Sequence, residues 1–483
     1  MMRGGDHGPG RILLIRVAEA IGQLHLKNLQ PPMGALSLAG VLDERGYDVT
    51  VTDMILDAPT VADAVALVRR RRPDVVGLSV MTINVSVFEE LVTALAEAFP
   101  NLPVIAGGPH ATAFPEETAG FPGVRCAVLG EGEETVRELL PALRSGGDLL
   151  EVPGLAVAVD GVVRFSPTRP PLAPEDFPRI PWHLCGLERY WRHPSMTVKG
   201  AHRYLPLLTS RGCPYRCAYC HNVFGKRFRA RSAEELFDEV LSGHAVWGVR
   251  DFEIIDDAFN IDRERVHAFC RLVIDSGRDL AFSLPNGVRG DILDRETIVL
   301  LARAGFDQIS WAIETASLRL QERIGKHNDL DAIRRNMSIA HGLGIFNYGF
   351  FMLGFPTETR AEMEQTVAMA MDVDADVVSF FRVIPYKGTP LWDEVPEALR
   401  RDHRRFHRAG YMLSTGGFGL SEVDDAEILD IQRSALRRFY GDPRRVLRIL
   451  RKAPRPLGLL DYSRFYLENM VAPARLSRRL RRI

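Results

Sequence analysis

Two stretches of this 483-residue chain alternate strand-length apolar runs with helical patterns, and a proline-rich segment separates them. In the first stretch Arg11–Val17, Asp48–Asp53, Asp74–Val80, Pro103–Ala106 and Ala127–Leu129 read as strands. Helical patterns run over Gly34–Arg45, Val61–Arg71, Val85–Phe99 and Thr135–Leu143. Alternation at this spacing predicts an α/β unit with a doubly wound parallel sheet over residues 11–145. Such sheets bind ligands outside the carboxyl ends of their strands, where Ser79, Gly107, Gly108 and Gly130 fall. Residues 146–200 hold Pro153, Pro167, Pro170, Pro171, Pro174, Pro178 and Pro181, which leaves room for a linker and one short hairpin. From Tyr204 the alternation returns, with strands near 205–211, 251–256, 281–285, 307–313, 346–353 and 376–384. Six units predict a partial (β/α)6 parallel barrel over 201–395, short of the eight in a closed barrel. Residues 396–483 read as a helical, increasingly basic C-terminal region.

Charge narrows the functional classes. Lys and Arg number 61 against 62 Asp and Glu, a net charge of −1, which argues against a generic nucleic-acid binder. From Arg437 to Ile483, however, 14 basic residues face Asp442, Asp461 and Glu468, a local +11 that leaves −12 for the rest. The runs Arg444–Lys452 and Arg475–Arg482 interleave this charge with Leu and Ile. The pattern suits a solvated helix face with snorkelling arginines, or peripheral contact with anionic lipid. Six cysteines are too few for a secreted disulfide scaffold, no signal segment opens the sequence, and the apolar runs fall short of the roughly 20 residues that span a bilayer. A cytoplasmic protein is expected.

The chemistry concentrates in Arg211-Gly-Cys213-Pro-Tyr-Arg-Cys217-Ala-Tyr219-Cys220, directly after the first strand of the second stretch. That position is a loop at a strand's carboxyl end, where parallel barrels keep their active sites. A structural zinc ion takes four ligands, and no fourth cysteine lies nearby. Three thiolates match a four-iron, four-sulfur cluster with one iron left open. A zinc site and three cysteines of an ordinary core are the alternatives. Cys126, Cys185 and Cys270 are scattered and read as structural.

This C-x-x-x-C-x-aromatic-C pattern resembles the radical S-adenosylmethionine (SAM) superfamily. The resemblance implies a [4Fe-4S] cluster on Cys213, Cys217 and Cys220, with the open iron chelating SAM and Tyr219 beside it. It also implies reductive cleavage of SAM to a 5′-deoxyadenosyl radical, fed by an electron donor such as a flavodoxin or ferredoxin. Asp256 and Asp257 end the second strand, where the superfamily usually has a Gly-Gly-Glu-like turn against the methionine amino group. Glu314 ends the fourth strand, where one subgroup turns a glutamate toward SAM; a solvated strand-end carboxylate is the alternative. Arg289 follows the third strand and is suited to forking onto the SAM carboxylate or to forming an ion pair. The turn Gly354-Phe-Pro356-Thr-Glu358 suits packing against adenine.

The first unit resembles the cobalamin-binding domain that often precedes such a barrel, through Gln30-Pro-Pro-Met-Gly34, Gly107-Gly108-Pro109-His110 and Gly130-Glu131-Gly132-Glu133. The D-x-H-x-x-G motif that supplies a lower axial histidine to cobalt does not occur. The resemblance then implies cobalamin without a protein histidine ligand, or a scaffold domain that has lost it. Together these likenesses imply a cobalamin-dependent radical SAM C-methyltransferase acting on a natural product or lipid. The alternative is cobalamin-independent dehydration, epimerisation or rearrangement of a small, for example sugar-type, molecule. A non-enzymatic iron–sulfur or zinc protein is a third class. RNA methylthiolation is disfavoured, because the first unit lacks a second cysteine triad and no basic RNA-binding module is recognisable.

Overall fold

The computed structural model describes residues 10–18, 29–195, 197–198, 200–221, 223–401 and 419–452. They form two compact units, one running to His193 (with Val223–Gly225) and the other built on the chain from Pro194 onward.

In the first unit β1 (Arg11–Arg16), β2 (Asp48–Asp53), β3 (Val75–Ser79), β4 (Val104–Gly107) and β5 (Val124–Val128) pair in parallel in the order β2-β1-β3-β4-β5. Helices α1 (Met33–Asp43), α2 (Val61–Arg71), α3 (Val85–Ala98) and α4 (Glu133–Ser145) alternate with them. The order reverses at β1, so the carboxyl ends of β1 and β3 flank the switch-point crevice of a doubly wound sheet. Leu13, Ile15, Val76 and Leu78 pack against Leu67 and Val68 of α2 and Phe88, Leu91 and Leu95 of α3. A capping box of Thr60 and Asp63 starts α2, worth about 1 kcal/mol.

The hairpin expected within 146–200 is β6 (Leu155–Val159) and β7 (Val162–Phe165). It extends the first sheet, with β6 antiparallel to β5. The two-residue turn Asp160-Gly161, both at positive φ, joins β6 to β7, whereas β5 reaches β6 through α4. The end of this stretch is tied down too: Tyr190 Oη donates to Asp53 Oδ2 at 2.9 Å, and Arg16 pairs with the same carboxylate at 2.5 Å.

The second unit holds one six-stranded parallel sheet of β8 (Tyr204–Leu207), β11 (Asp251–Ile254), β12 (Ala281–Val288), β13 (Phe306–Glu314), β14 (Phe346–Leu353) and β15 (Val377–Arg382). Its strands lie side by side in chain order. Helices α5 (Ala233–Trp247), α6 (Arg263–Asp275), α7 (Arg295–Arg303), α8 (Leu330–Gly342) and α9 (Arg360–Asp372) connect them. This is the partial barrel. Between β8 and α5 the two-residue strands β9 (Ser210–Arg211) and β10 (Arg229–Ala230) pair antiparallel and close the base of the cysteine loop. The single strand expected at 205–211 is therefore broken. Thr209 turns its N–H and hydroxyl to Asp256, and the chain leaves the sheet there.

Helices α10 (Asp425–Tyr440) and α11 (Pro443–Lys452) follow. Tyr440 Oη accepts the N–H of Val378 at 3.1 Å and donates to the same residue's carbonyl at 2.9 Å. Gln432 Nε2 donates to the Phe380 carbonyl at 2.5 Å. These side chains occupy backbone groups along β15. Among the described residues no helix is long and apolar enough to cross a membrane. The second basic run, Arg475–Arg482, lies outside the described residues.

Candidate active site

The cysteine loop leaves β9 through Gly212, whose φ of +82° is a left-handed conformation that a side chain disfavours. Its far half is anchored on both sides. Ala218 donates its N–H to the Ile324 carbonyl at 2.8 Å and accepts from Leu391 N at 3.0 Å, while Cys220 N bonds to the Cys217 carbonyl at 3.2 Å. Cys217 is buried, and Cys213 and Cys220 are half-buried. Burial pushes the Cys217 thiol up. The Cys220 thiol is pushed up to about 11, first by burial and then by its neighbours Cys217 and Cys213. Cys217 and Cys220 therefore hold their protons until a cation displaces them.

Among the described residues no three His, Cys, Asp or Glu side chains converge on a point fit for a single metal ion. A zinc ion needs such convergence. A cubane takes one thiolate on each of three separate irons, so thiols spread along one loop fit it. Cys126, Cys185 and Cys270 are buried, their thiols pushed up to about 12 by burial, and none belongs to this loop.

Glu314 ends β13 beside this loop. It is 6% exposed and takes φ +69°, a rare and strained value for a glutamate. The β13–β14 register slips here, since Ala312 and Glu314 face the consecutive residues Phe350 and Phe351. Tyr219 Oη donates to Glu314 Oε1 at 3.0 Å, and Lys326 Nζ donates to the same oxygen at 3.3 Å. Burial first, and Glu314 second, keep the Tyr219 phenol well above its ordinary range, so it stays a donor. Tyr219 meets Phe355 edge-on, with ring centroids 5.7 Å apart. The turn carrying Phe355 is held by Glu358, whose Oε2 accepts the N–H groups of Gly354 at 2.6 Å and Phe355 at 2.9 Å.

The remaining predicted residues take other places. Asp256 is buried with its carboxylate turned back into the fold: it accepts Thr209 N and Thr209 Oγ1 at 2.5 Å and Ser210 Oγ at 2.6 Å. Asp257 is half-buried, and burial lifts its carboxyl above the usual range while His221 partly offsets this. Arg289 forks onto Asp291, Nε to Oδ1 at 2.7 Å and Nη2 to Oδ2 at 2.9 Å, and also donates to the His327 carbonyl at 2.9 Å. Its ion pair is largely buried, and its guanidinium lies over Tyr215 inside the cysteine loop. Sequence reasoning missed Lys326, Asp291, Thr209 and Ser210. No periodicity marks them, and Lys326, Thr209 and Ser210 have partners at least 12 residues away, although Asp291 pairs with Arg289 only two residues off.

In the first unit Ser79, Gly107, Gly108 and Gly130 gather at neighbouring strand ends. Ser79 pairs with Gly107 in register, and Val80 N bonds to the Gly107 carbonyl at 2.9 Å. Gly108 has φ +94°, and a Cβ on it would meet Val80 O at 3.1 Å and Ser79 Oγ at 3.2 Å. A Cβ on Gly34 or Gly130 would meet nothing within 4 Å, so open space lies above both. The open space at Gly34 and Gly130, beside the close-packed turn at Gly107-Gly108, fits the close approach of a large planar ring such as a corrin. His110 belongs to the core: it is wholly buried and stacked on Phe114 at 5.0 Å.

Comparison with known proteins agrees with this geometry. Residues 21–140 match the B12 binding domain, and residues 207–370 match the radical SAM superfamily. An uncharacterized methyltransferase of Pyrococcus horikoshii is 31% identical over 371 residues, covering 75% of this chain and 78% of the relative. The cytidylyl-2-hydroxyethylphosphonate methyltransferase of Streptomyces wedmorensis is 28% identical, with 80% of this chain and 81% of the relative covered. The solved structure of the radical SAM methyltransferase TsrM from Kitasatospora setae, with tryptophan and a SAM analogue bound, superposes with a TM-score of 0.68 at 22% identity, over 80% of this chain and 76% of that one. A parallel barrel whose strand-end loop carries three thiols defines the class, and the preceding glycine-lined sheet narrows it. The chain belongs to the radical SAM superfamily, to the branch that carries a B12-binding domain ahead of the barrel.

Proposed function

We propose that this chain is a cobalamin-dependent radical SAM methyltransferase that places a methyl group on an unactivated carbon of a natural product or lipid. The observation that carries the reading is the union, in one chain, of the cysteine loop with Glu314 beside it and the glycine cradle of the first unit, shared over most of its length with a methyltransferase. Cys213, Cys217 and Cys220 hold the cluster, each thiol giving up its proton on ligation. Glu314 would face SAM, and Asp257 lies near enough to the loop to raise the Cys220 thiol. Ser79, Gly107, Gly108 and Gly130 admit the corrin. When bound, the cluster supplies one electron and an open coordination site, and cobalamin supplies a methyl carrier.

The electron comes from a cytoplasmic donor of the flavodoxin or ferredoxin type. The tail contributes a peripheral contact with anionic lipid. Helix α11 supports this, because Val446, Leu447 and Leu450 are exposed beside Arg444 and Arg451, while Arg448 and Lys452 turn inward to Asp376.

The test is anaerobic reconstitution with iron, sulfide and cobalamin, followed by reduction with SAM labelled in its methyl group. Label in a small-molecule product, with 5′-deoxyadenosine formed and both lost in Cys217→Ala, is the expected result. Label that never leaves SAM while 5′-deoxyadenosine accumulates overturns methyl transfer.

A further inference from the structure

Glu314 is tied to the protein through one oxygen only. Both of its donors, Tyr219 Oη and Lys326 Nζ, reach Oε1, and among the described residues nothing donates to Oε2. Lys326 is itself 8% exposed. Its backbone is fixed, since Lys326 N and His327 N both bond to the Gln321 carbonyl, at 3.0 and 3.2 Å. The same short segment grips the cysteine loop, with the Ile324 carbonyl on Ala218 N at 2.8 Å and the Gly325 carbonyl 3.9 Å from Cys217 Sγ.

The strand end around Glu314 is also braced. Gln321 Nε2 donates to the carbonyls of Ile313 at 2.9 Å and Thr315 at 2.7 Å, and Asn328 Nδ2 donates to that of Ala312 at 3.0 Å. A left-handed glutamate persists only where its surroundings over-determine it. Here one segment, Gln321–Asn328, supplies the amides that hold the backbone and the ammonium that holds the side chain.

We propose that Lys326 is a positioning residue for the SAM site: with Tyr219 it pins Oε1 of Glu314 and so fixes the direction in which Oε2 is offered to the cationic end of the bound ligand. Tyr219 belongs to the loop that carries the thiols, so the clamp also sets the carboxylate against that loop. Removing the ammonium leaves a strained, buried carboxylate held by one phenol, and its free oxygen then samples several directions. This inference rests on the radical SAM reading above.

The experiment compares wild type, Lys326→Met, Glu314→Gln and the double variant, each reconstituted anaerobically in the full chain. Four quantities are read: iron content, thermal midpoint, equilibrium binding of labelled SAM, and kcat against KM for 5′-deoxyadenosine formation. Lys326→Met is expected to keep its iron and to bind SAM about tenfold more weakly, as for a lost charge-assisted hydrogen bond. Its KM rises accordingly, with kcat at saturating SAM held within about threefold, the split that marks lost ligand binding. In the Glu314→Gln background the same change costs little more, because the two residues act as one unit. A Lys326→Met protein with a lowered thermal midpoint but unchanged SAM binding and KM overturns the inference in favour of a purely structural ion pair. Additive losses in the double variant overturn it as well. A wild type that assembles its cluster yet neither binds nor cleaves SAM overturns the enzyme reading itself, and this inference with it.

Discussion

The guanidinium of Arg289 lies over the ring of Tyr215, 4.2 Å from its centroid. Tyr215 sits between Cys213 and Cys217, so an arginine at the end of β12 holds the middle of the thiol-bearing loop from outside it. Arg289→Lys keeps the charge and loses both the fork onto Asp291 and the planar stack. We expect roughly tenfold weaker retention of iron against a chelator, the size of effect typical of residues that support metal ligands. Iron release measured against wild type at one chelator concentration checks it, and equal rates contradict it.

Glu358 gives a pH signature. Its carboxyl is buried and pushed up to about 7 from 4.5, chiefly by burial, with the Gly354 and Phe355 N–H groups opposing. A carboxyl whose pKa is raised on folding contributes fully below about pH 4.5, and that contribution is lost as pH rises through 7. Glu358→Gln mimics the protonated form at every pH. Relative to that variant, wild type loses stability between these values, by on the order of 3 kcal/mol near pH 8. Denaturant unfolding of both proteins near pH 5 and pH 8 measures the gap, and a pH-independent difference refutes it.

Asp256 braces the start of the cysteine loop from inside. Asp256→Ala removes the acceptor of three short hydrogen bonds from Thr209 and Ser210 and strands those donors in a buried place. The expected loss is about 3–5 kcal/mol of unfolding free energy. Asp256→Asn, which keeps the acceptor oxygen, loses less. Urea midpoints of the two variants decide the order.

Much of this architecture was legible in the chain, and for physical reasons. Strand-length apolar runs and 3.6-residue patterns mark elements that bury one face, so the parallel units stood out. The three cysteines stood out because their spacing serves coordination and not packing. What stayed hidden depends on contacts between distant residues. Asp256 reads as a ligand-facing carboxylate until its partners Thr209 and Ser210 are in place. Glu314 looked like a candidate on position alone; the left-handed backbone and the Lys326 pair that distinguish it from a solvated carboxylate leave no local trace. The hairpin in the proline-rich stretch was visible, but its docking onto β5 was not, because edge pairing depends on which strand is already there.

The glycines of the first unit separate by the space around them. Gly108→Ala forces a Cβ against Val80 and Ser79 at a backbone angle that only glycine takes readily, and should cost about 2–4 kcal/mol. Gly130→Ala meets no atom and pays only the left-handed penalty, about 1 kcal/mol. Gly130→Asn, which tolerates that backbone angle, should fold normally and take up less cobalamin. Calorimetric midpoints test the first pair, and cobalamin absorbance after gel filtration tests the third variant.

The side chains of Tyr440 and Gln432 that sit along β15 have a consequence for assembly. A strand that ends a sheet is a template on which another molecule's backbone can zip, and here the docking register is blocked at Val378 and Phe380. Losing the hydroxyl, as in Tyr440→Phe, leaves the N–H and carbonyl of Val378 without that partner, while Gln432 still holds the Phe380 carbonyl. The edge is then guarded by one side chain instead of two, and a weakened guard shows first as self-association that grows with concentration.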